Sequence, residues 1–121
     1  MIPTSIINTF TQAVTLRKQR ETAEREAADY LTRMDIDDFF IMDQEIDIAA
    51  LKQLRENASL AQQAEMKQVR KLFDELPAAL QWAIVELGKP LLLGDARGNK
   101  GFYLRMIGGR PTLSVEAAPA R

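Results

Sequence analysis

Six carboxylates stand within DIDDFFIMDQEID, residues 35 to 47, with no positive charge and large apolar side chains threaded between them. Acids at that density could hold a divalent cation, act as a general acid and base, or dock on a basic partner. A calcium loop of the EF-hand kind needs oxygen ligands at its positions 1, 3 and 5, Gly at 6 and Glu at 12. Counted from Asp35, Phe39 and Phe40 fall at 5 and 6 and Ile46 at 12; counted from Asp43, Ile48 stands where Gly belongs and Leu54 where Glu belongs. Neither register fits, so no metal and no cofactor is expected. Glycoside hydrolysis needs two carboxyl groups about 5 to 10 Å apart in a cleft, and nothing in the sequence marks a cleft. The glycines of GDARGNKG fail as a phosphate loop, because Gly94 and Gly98 are too close and no Ser or Thr follows Lys100.

The chain holds no Cys and no His. That removes disulfides, thiolate nucleophiles, Cys-ligated metals and the usual general base at neutral pH. An enzyme is therefore not expected. The formal net charge of the 121 residues is -1, which provides no overall field to hold nucleic acid or an anionic membrane. The charge is nonetheless uneven: from Lys89 onward six basic residues face two acidic ones, a net of +4, which leaves -5 for residues 1 to 88. Lys67, Arg70 and Lys71 add a basic flank at helical spacing, and Arg97 and Lys100 tip a hairpin sequence. A basic helix, an apolar helix and a basic hairpin is the order a winged-helix DNA binder would show, with Gln63 and Gln68 as candidates to read adenine. The other reading is that acidic and basic ends meet, within one molecule or between two.

These groups need elements to hold them. Thr4 or Ser5 can N-cap one long helix, or two closely coupled ones, over residues 4 to 34. Ile6, Ile7, Phe10 and Val14 recur at helical spacing, RKQRETAERE runs from Arg17 to Glu26 without a large apolar side chain, and Tyr30, Leu31 and Met34 resume the pattern. The middle is expected to be bathed in solvent, supported by Arg17 with Glu21 and Arg20 with Glu24 four residues apart. Its apolar ends make it an arm that either connects or pairs with another chain, and Phe10 and Val14 are the residues expected to pair.

On one helix at about 100° per residue the six acids of 35 to 47 scatter all round the barrel. An alternating strand would use residues disfavoured in strands. Capping explains more of them: Asp35 caps a short helix over 36 to 44 with Asp37 and Asp38 in its first turn, and Asp47 caps the next helix, IAALKQLREN. If the segment docks on a partner, Asp37, Asp38, Asp43 and Glu45 are the groups that would do it.

Ser59 and Gln62 form a capping box that predicts a fresh helix over about 60 to 76, with Ala61, Ala64, Val69, Leu72, Phe73 and Leu76 on its apolar stripe. Pro77 kinks that helix or starts another. AALQWAIVELG is apolar round most of its circumference and is expected at the centre of the core, closed by Gly88 and Pro90. Beyond it, apolar runs at 91 to 96, 102 to 107 and 112 to 116 are separated by RGNKG and GGRP, which are turn compositions. No stretch approaches the ~20 apolar residues of a membrane span, and MIPTSIINTFTQAVTL lacks the basic leader of a signal peptide. No membrane contact is expected, and the expected location is the cytoplasm.

The sequence thus predicts a mostly α, α+β single domain over 1 to 121. Four to five helices, an arm over 1 to 34 and a helical core over 35 to 88, precede an antiparallel two- or three-stranded meander over 89 to 116 and a loose tail over 117 to 121. The expected function is that of a small non-catalytic interaction protein, a regulator or inhibitor that binds a protein partner and forms a homodimer. The alternative is a nucleic-acid-binding regulator using Lys67, Arg70, Lys71, Arg97 and Lys100.

Overall fold

The computed structural model describes residues 3 to 38 and 48 to 117. The chain is mostly helical: α1 (Thr4–Asp38), α2 (Ile48–Glu75) and α3 (Ala78–Val85) precede β1 (Leu91–Ala96), β2 (Lys100–Ile107) and β3 (Arg110–Ala117), an antiparallel sheet in the order β1-β2-β3. Among the described residues there are three helices where four to five were expected, and three strands where two or three were. The tail residues 118 to 121 lie outside the described residues.

Two expected boundaries are absent, for physical reasons. Asp35 does not cap a new helix, because α1 runs through it to Asp38; the rest of the expected helix over 36 to 44, with Asp43, Glu45 and the cap at Asp47, lies outside the described residues. Nor does Ser59 start a helix. It sits inside α2, where its hydroxyl accepts from the Gln63 side chain at 3.5 Å. Ser and Gln are tolerated inside a helix when the packing stripe continues, and here Leu51, Leu54, Ala58, Ala61 and Glu65 keep an unbroken alternation of three- and four-residue steps. At the other end α1 opens one residue early, since the Pro3 carbonyl accepts from the Ile6 and Ile7 amides at 3.0 and 3.2 Å. Thr4 is its first residue rather than its cap.

The residues gather into two compact units, 1 to 13 with 66 to 121, and 14 to 65. In the first unit β2 and β3 alternate cleanly. Leu104 faces Leu113 and Phe102 faces Val115 on one side, while Tyr103 faces Ser114 and Arg105 faces Thr112 on the other. Leu104 and Leu113 are buried along with Ile6, Val69, Leu72, Phe73, Leu76 and Ile84, which is the core. Phe10 closes one side of it, its ring 5.8 Å from and 72° to that of Phe102. Only a glycine lets it approach β1 this closely, for a Cβ on Gly94 would stand 3.0 Å from the Phe10 ring. The β2–β3 hairpin turns on Gly108 and Gly109, both at positive φ, the backbone that a two-residue turn between twisted strands demands.

In the second unit α1 and α2 pair in opposite directions: Arg20 meets Glu65, and farther along α1 Ala23 and Glu26 share a groove with Asn57. Among the half-buried residues of α1, Leu16, Arg20, Ala23, Ala27 and Tyr30 follow one another in steps of four and three, the spacing that keeps one helix face against another. The stretch from Arg17 to Glu26 is therefore not simply bathed in solvent. Arg17 and Arg20 form the expected pairs with Glu21 and Glu24, at 3.1 and 3.0 Å, yet both also reach across to Glu65. Glu65 is only 7% exposed.

Candidate functional site

The largest departure from expectation is α3. Pro77, at φ -55° and ψ 146°, precedes it as N-cap, so Pro77 starts a helix rather than kinking one. Gly88 at φ 63° ends it, and across that turn the Lys89 amide donates to the Ala83 carbonyl at 3.1 Å. Gln81 ties the helix to the end of α2, its amide nitrogen donating to the carbonyls of Phe73 and Asp74 at 2.9 and 3.3 Å. Those carbonyls belong to the final turn of α2, where the Phe73 carbonyl also accepts from the Leu76 amide at 3.1 Å. α3 packs on β2 and buries a single side chain, Ile84.

The expectation that this helix lies at the centre of the core is thereby corrected. Trp82 projects about 160° round the helix from Ile84, and Val85 about 100°. Trp82 is 57% exposed and Val85 48%, about 60° apart round the helix, while Leu80, exposed too, lies about 40° from Ile84 and Leu87 is exposed beyond the helix end. A helix that is apolar all round can bury only the side it turns to its neighbour, and this one has a sheet on one side alone. The sequence signal was present in the pattern, since an eight-residue helix with apolar side chains in every direction needs cover on every side. Among its residues and its C-cap, Glu86 is the one charge.

The basic residues read from the sequence all fall in the unit of residues 1 to 13 and 66 to 121. Lys67, Arg70 and Lys71 are exposed on α2, and Arg97 and Lys100 are exposed around the β1–β2 turn. Arg70 already has partners: Asp74 at 3.3 Å and the Phe73 ring, whose centroid is 5.8 Å away. Gln68, a candidate base reader, turns inward and donates to the Thr9 carbonyl at 3.3 Å and the Gln12 side chain at 2.9 Å. Phe10 packs within the first unit, as described, and Val14 is half-buried in the second. Asp37 and Asp38 belong to the last turn of α1, while Asp43 and Glu45 lie outside the described residues.

Other groups sharpen the electrostatics. Burial by itself would lower the Arg20 pKa, but its hydrogen bond to Glu65 and the Glu65 charge, followed by those of Glu24, outweigh burial and raise it. On the outer sheet face Arg105 grips Glu116 with two nitrogens, at 2.7 and 2.5 Å, and the Ser114 hydroxyl donates to the same carboxylate at 2.6 Å. The Ser114 bond first, and then Arg105, hold the Glu116 carboxyl below its ordinary range. An open groove of about 410 Å³ in the second unit is lined by Lys18, Gln19, Thr22, Ala23, Glu26 and Asn57 among others. Among the described residues no group of three or more acids gathers as a metal site, and no helix is long and apolar enough to cross a membrane. No family model, curated protein or solved structure matches the chain.

Proposed function

We propose that this is a small non-catalytic interaction protein of the cytoplasm, a regulator or inhibitor that binds another macromolecule and self-associates as a homodimer. The observation that carries the reading is the exposed apolar face of α3. A side chain the size of Trp held more than half in water, with the exposed Val85 about 60° round the helix from it, has the character of an interface patch; single scattered apolar residues do not. Trp is also the residue type most enriched among the anchors that dominate binding energy. The face is a better candidate than Phe10 and Val14, since the Phe10 ring is engaged with Phe102 and Gly94.

Sedimentation over the micromolar range tests this. Twice the chain mass is expected for the wild type, and the single chain mass for Val85→Glu with its circular dichroism unchanged. A wild type that remains monomeric at high micromolar concentration refutes self-association.

The second reading, a nucleic-acid binder, is favoured by one observation. The unit of residues 1 to 13 and 66 to 121 holds nine basic against five acidic residues, a net of +4. Duplex binding through Lys67, Lys71, Arg97 and Lys100 would weaken with salt at a log-log slope of about -0.9 per phosphate contacted. The engagement of Arg70 with Asp74 and Phe73 and of Gln68 with Thr9 and Gln12 counts against it. Duplex DNA that fails to bind even at low salt would remove this reading.

A further inference from the structure

We infer that the homodimer forms through the free edge of β1, with Leu92 antiparallel to Leu92 of the second copy, so that two three-stranded sheets join into one of six strands. The inference rests on the self-association reading and names a contact that makes it.

Hydrogen bonding within the sheet decides which backbone groups β1 leaves over. In an antiparallel ladder, facing residues alternate between exchanging both bonds and exchanging none, so a central strand turns alternate residues toward its two neighbours. The two-residue turn at Gly108 and Gly109 makes Ile107 and Arg110 a bonded pair. Counting back along β2, Arg105, Tyr103 and Gly101 bond to β3, while Leu104, Phe102 and Lys100 bond to β1. Tyr103 and Gly101 face Leu92 and Asp95 on β1, so Leu92 and Asp95 turn their N–H and C=O groups away from β2. The bulge between Leu92 and Gly94 sets these two outward residues three apart instead of two. Among the described residues no strand lies beyond β1.

The two edges of the sheet differ. At an outward position of the same kind β3 carries Pro111, which faces Met106 and has no amide to offer. Nothing within β1 blocks it in this way: Leu91, Leu92 and Leu93 run together, and Leu92 is 42% exposed. Open apolar edges recruit another strand.

Charge selects a second copy as that strand. Lys89 and Asp95 stand three residues to either side of Leu92, both exposed and neither ion-paired among the described residues. An antiparallel copy centred on Leu92 sets each Lys89 against Asp95 of the other chain, twice over, as a two-fold contact requires. Centring on Leu93 instead would set Lys89 against Arg97. The two-fold axis stands perpendicular to the joined sheet, and α3 packs on β2, which puts both copies of α3 on one side of that sheet, beside the contact.

Leu92→Pro removes the outward amide and leaves the ladder to β2 intact, because proline is tolerated on an edge where the N–H faces away. Sedimentation is expected to give the mass of one copy at concentrations where the wild type has twice that mass, with circular dichroism unchanged. Lys89→Asp and Asp95→Lys should each weaken the dimer at least about tenfold by setting like charges against each other. Mixing these two variants should restore a dimer, since one presents two acids and the other two bases. A wild-type dimer that neither Leu92→Pro nor either charge reversal weakens overturns this inference and leaves the self-association reading standing. A wild type that is monomeric at every concentration overturns both. If Leu92→Pro unfolds the chain, the charge variants decide: two monomers that stay monomeric when mixed overturn the edge contact.

Discussion

The two units hold together by different means. Among the described residues every buried apolar side chain, from Ile6 and Ala13 through Leu72 to Leu104 and Leu113, belongs to residues 1 to 13 and 66 to 121. Among the described residues of 14 to 65 the one buried side chain is a carboxylate, Glu65. Around it the helix pairing is made of half-buried alanines, with Leu16, Tyr30, Leu51 and Leu54 toward the ends. Apolar burial is worth about 25 cal/mol per Å² and is indifferent to direction, whereas a buried ion pair returns little net stability beyond its desolvation cost but penalises every register that breaks it. The first unit is thus built for stability. In the second, the Arg17, Arg20 and Glu65 cluster decides which turn of α1 meets which turn of α2. Opening is expected to be easier in residues 14 to 65 than in the core.

Substitutions can break this contrast. The largest effect is expected in the first unit, where Leu104→Ala removes a fully buried side chain that faces both Leu91 and Leu113 across the strands. The loss should be about 2 to 5 kcal/mol in a denaturant titration, spread over the whole cooperative transition. A loss below ~1 kcal/mol would mean the sheet is not part of the core.

Glu65→Ala should act more locally. It leaves Arg20, whose side chain is 19% exposed, with Glu24 as its remaining ion pair and removes the second partner of Arg17, for a loss of about 1 to 3 kcal/mol. Hydrogen exchange should accelerate across residues 14 to 32 and 49 to 65 and barely change in β2. Pairing the change as Glu65→Leu with Arg20→Leu should recover most of the loss, because two apolar groups replace both charges. If exchange accelerates equally everywhere, the units do not differ in the way proposed.

Thr9→Val tests the polar contact inside the first unit. The Thr9 hydroxyl lies 2.8 Å from a Glu75 oxygen and 2.9 Å from the Ser5 carbonyl, and is buried. Its loss should cost about 1 kcal/mol, less than the apolar truncation and visible as a small shift of the denaturation midpoint.

The smallest effect belongs to Glu116. Its pKa is lowered in the folded chain, so its contribution to stability is present above the ordinary glutamate range and fades as pH falls through the lowered value. Carboxyl titration by NMR should give a midpoint below that of an ordinary glutamate, and Ser114→Ala should raise it. A midpoint at or above the ordinary value would show that the Ser114 and Arg105 contacts do not persist in solution.

Much of the sheet was legible because turns leave few options. RGNKG and GGRP supply the residues that adopt positive φ at Gly98, Asn99, Gly108 and Gly109, and the alternation between them sets which faces pack. The joints between helices were less legible. Ser59 with Gln62 has the composition of a cap, but local capping competes with a packing stripe, and the stripe through Ala58, Ala61 and Glu65 prevails. Arg20 read as a solvated charge because its partner lies 45 residues away, beyond any local pattern. AALQWAIVELG was misplaced for a simpler reason: hydropathy reports that a helix requires cover without saying whether its own chain provides it. The candidate site was therefore visible as a composition and invisible as a surface.

Whether the outer side of α3 is a surface or a core is decided most directly by Trp82→Ser, read on the same sample by denaturant unfolding and by sedimentation. Unfolding free energy is expected to change by less than about 1 kcal/mol, as for a side chain already in water, while the dimer dissociation constant weakens at least about tenfold, as for an interface anchor. A loss of several kcal/mol in stability, or a dimer as tight as the wild type, would contradict the account.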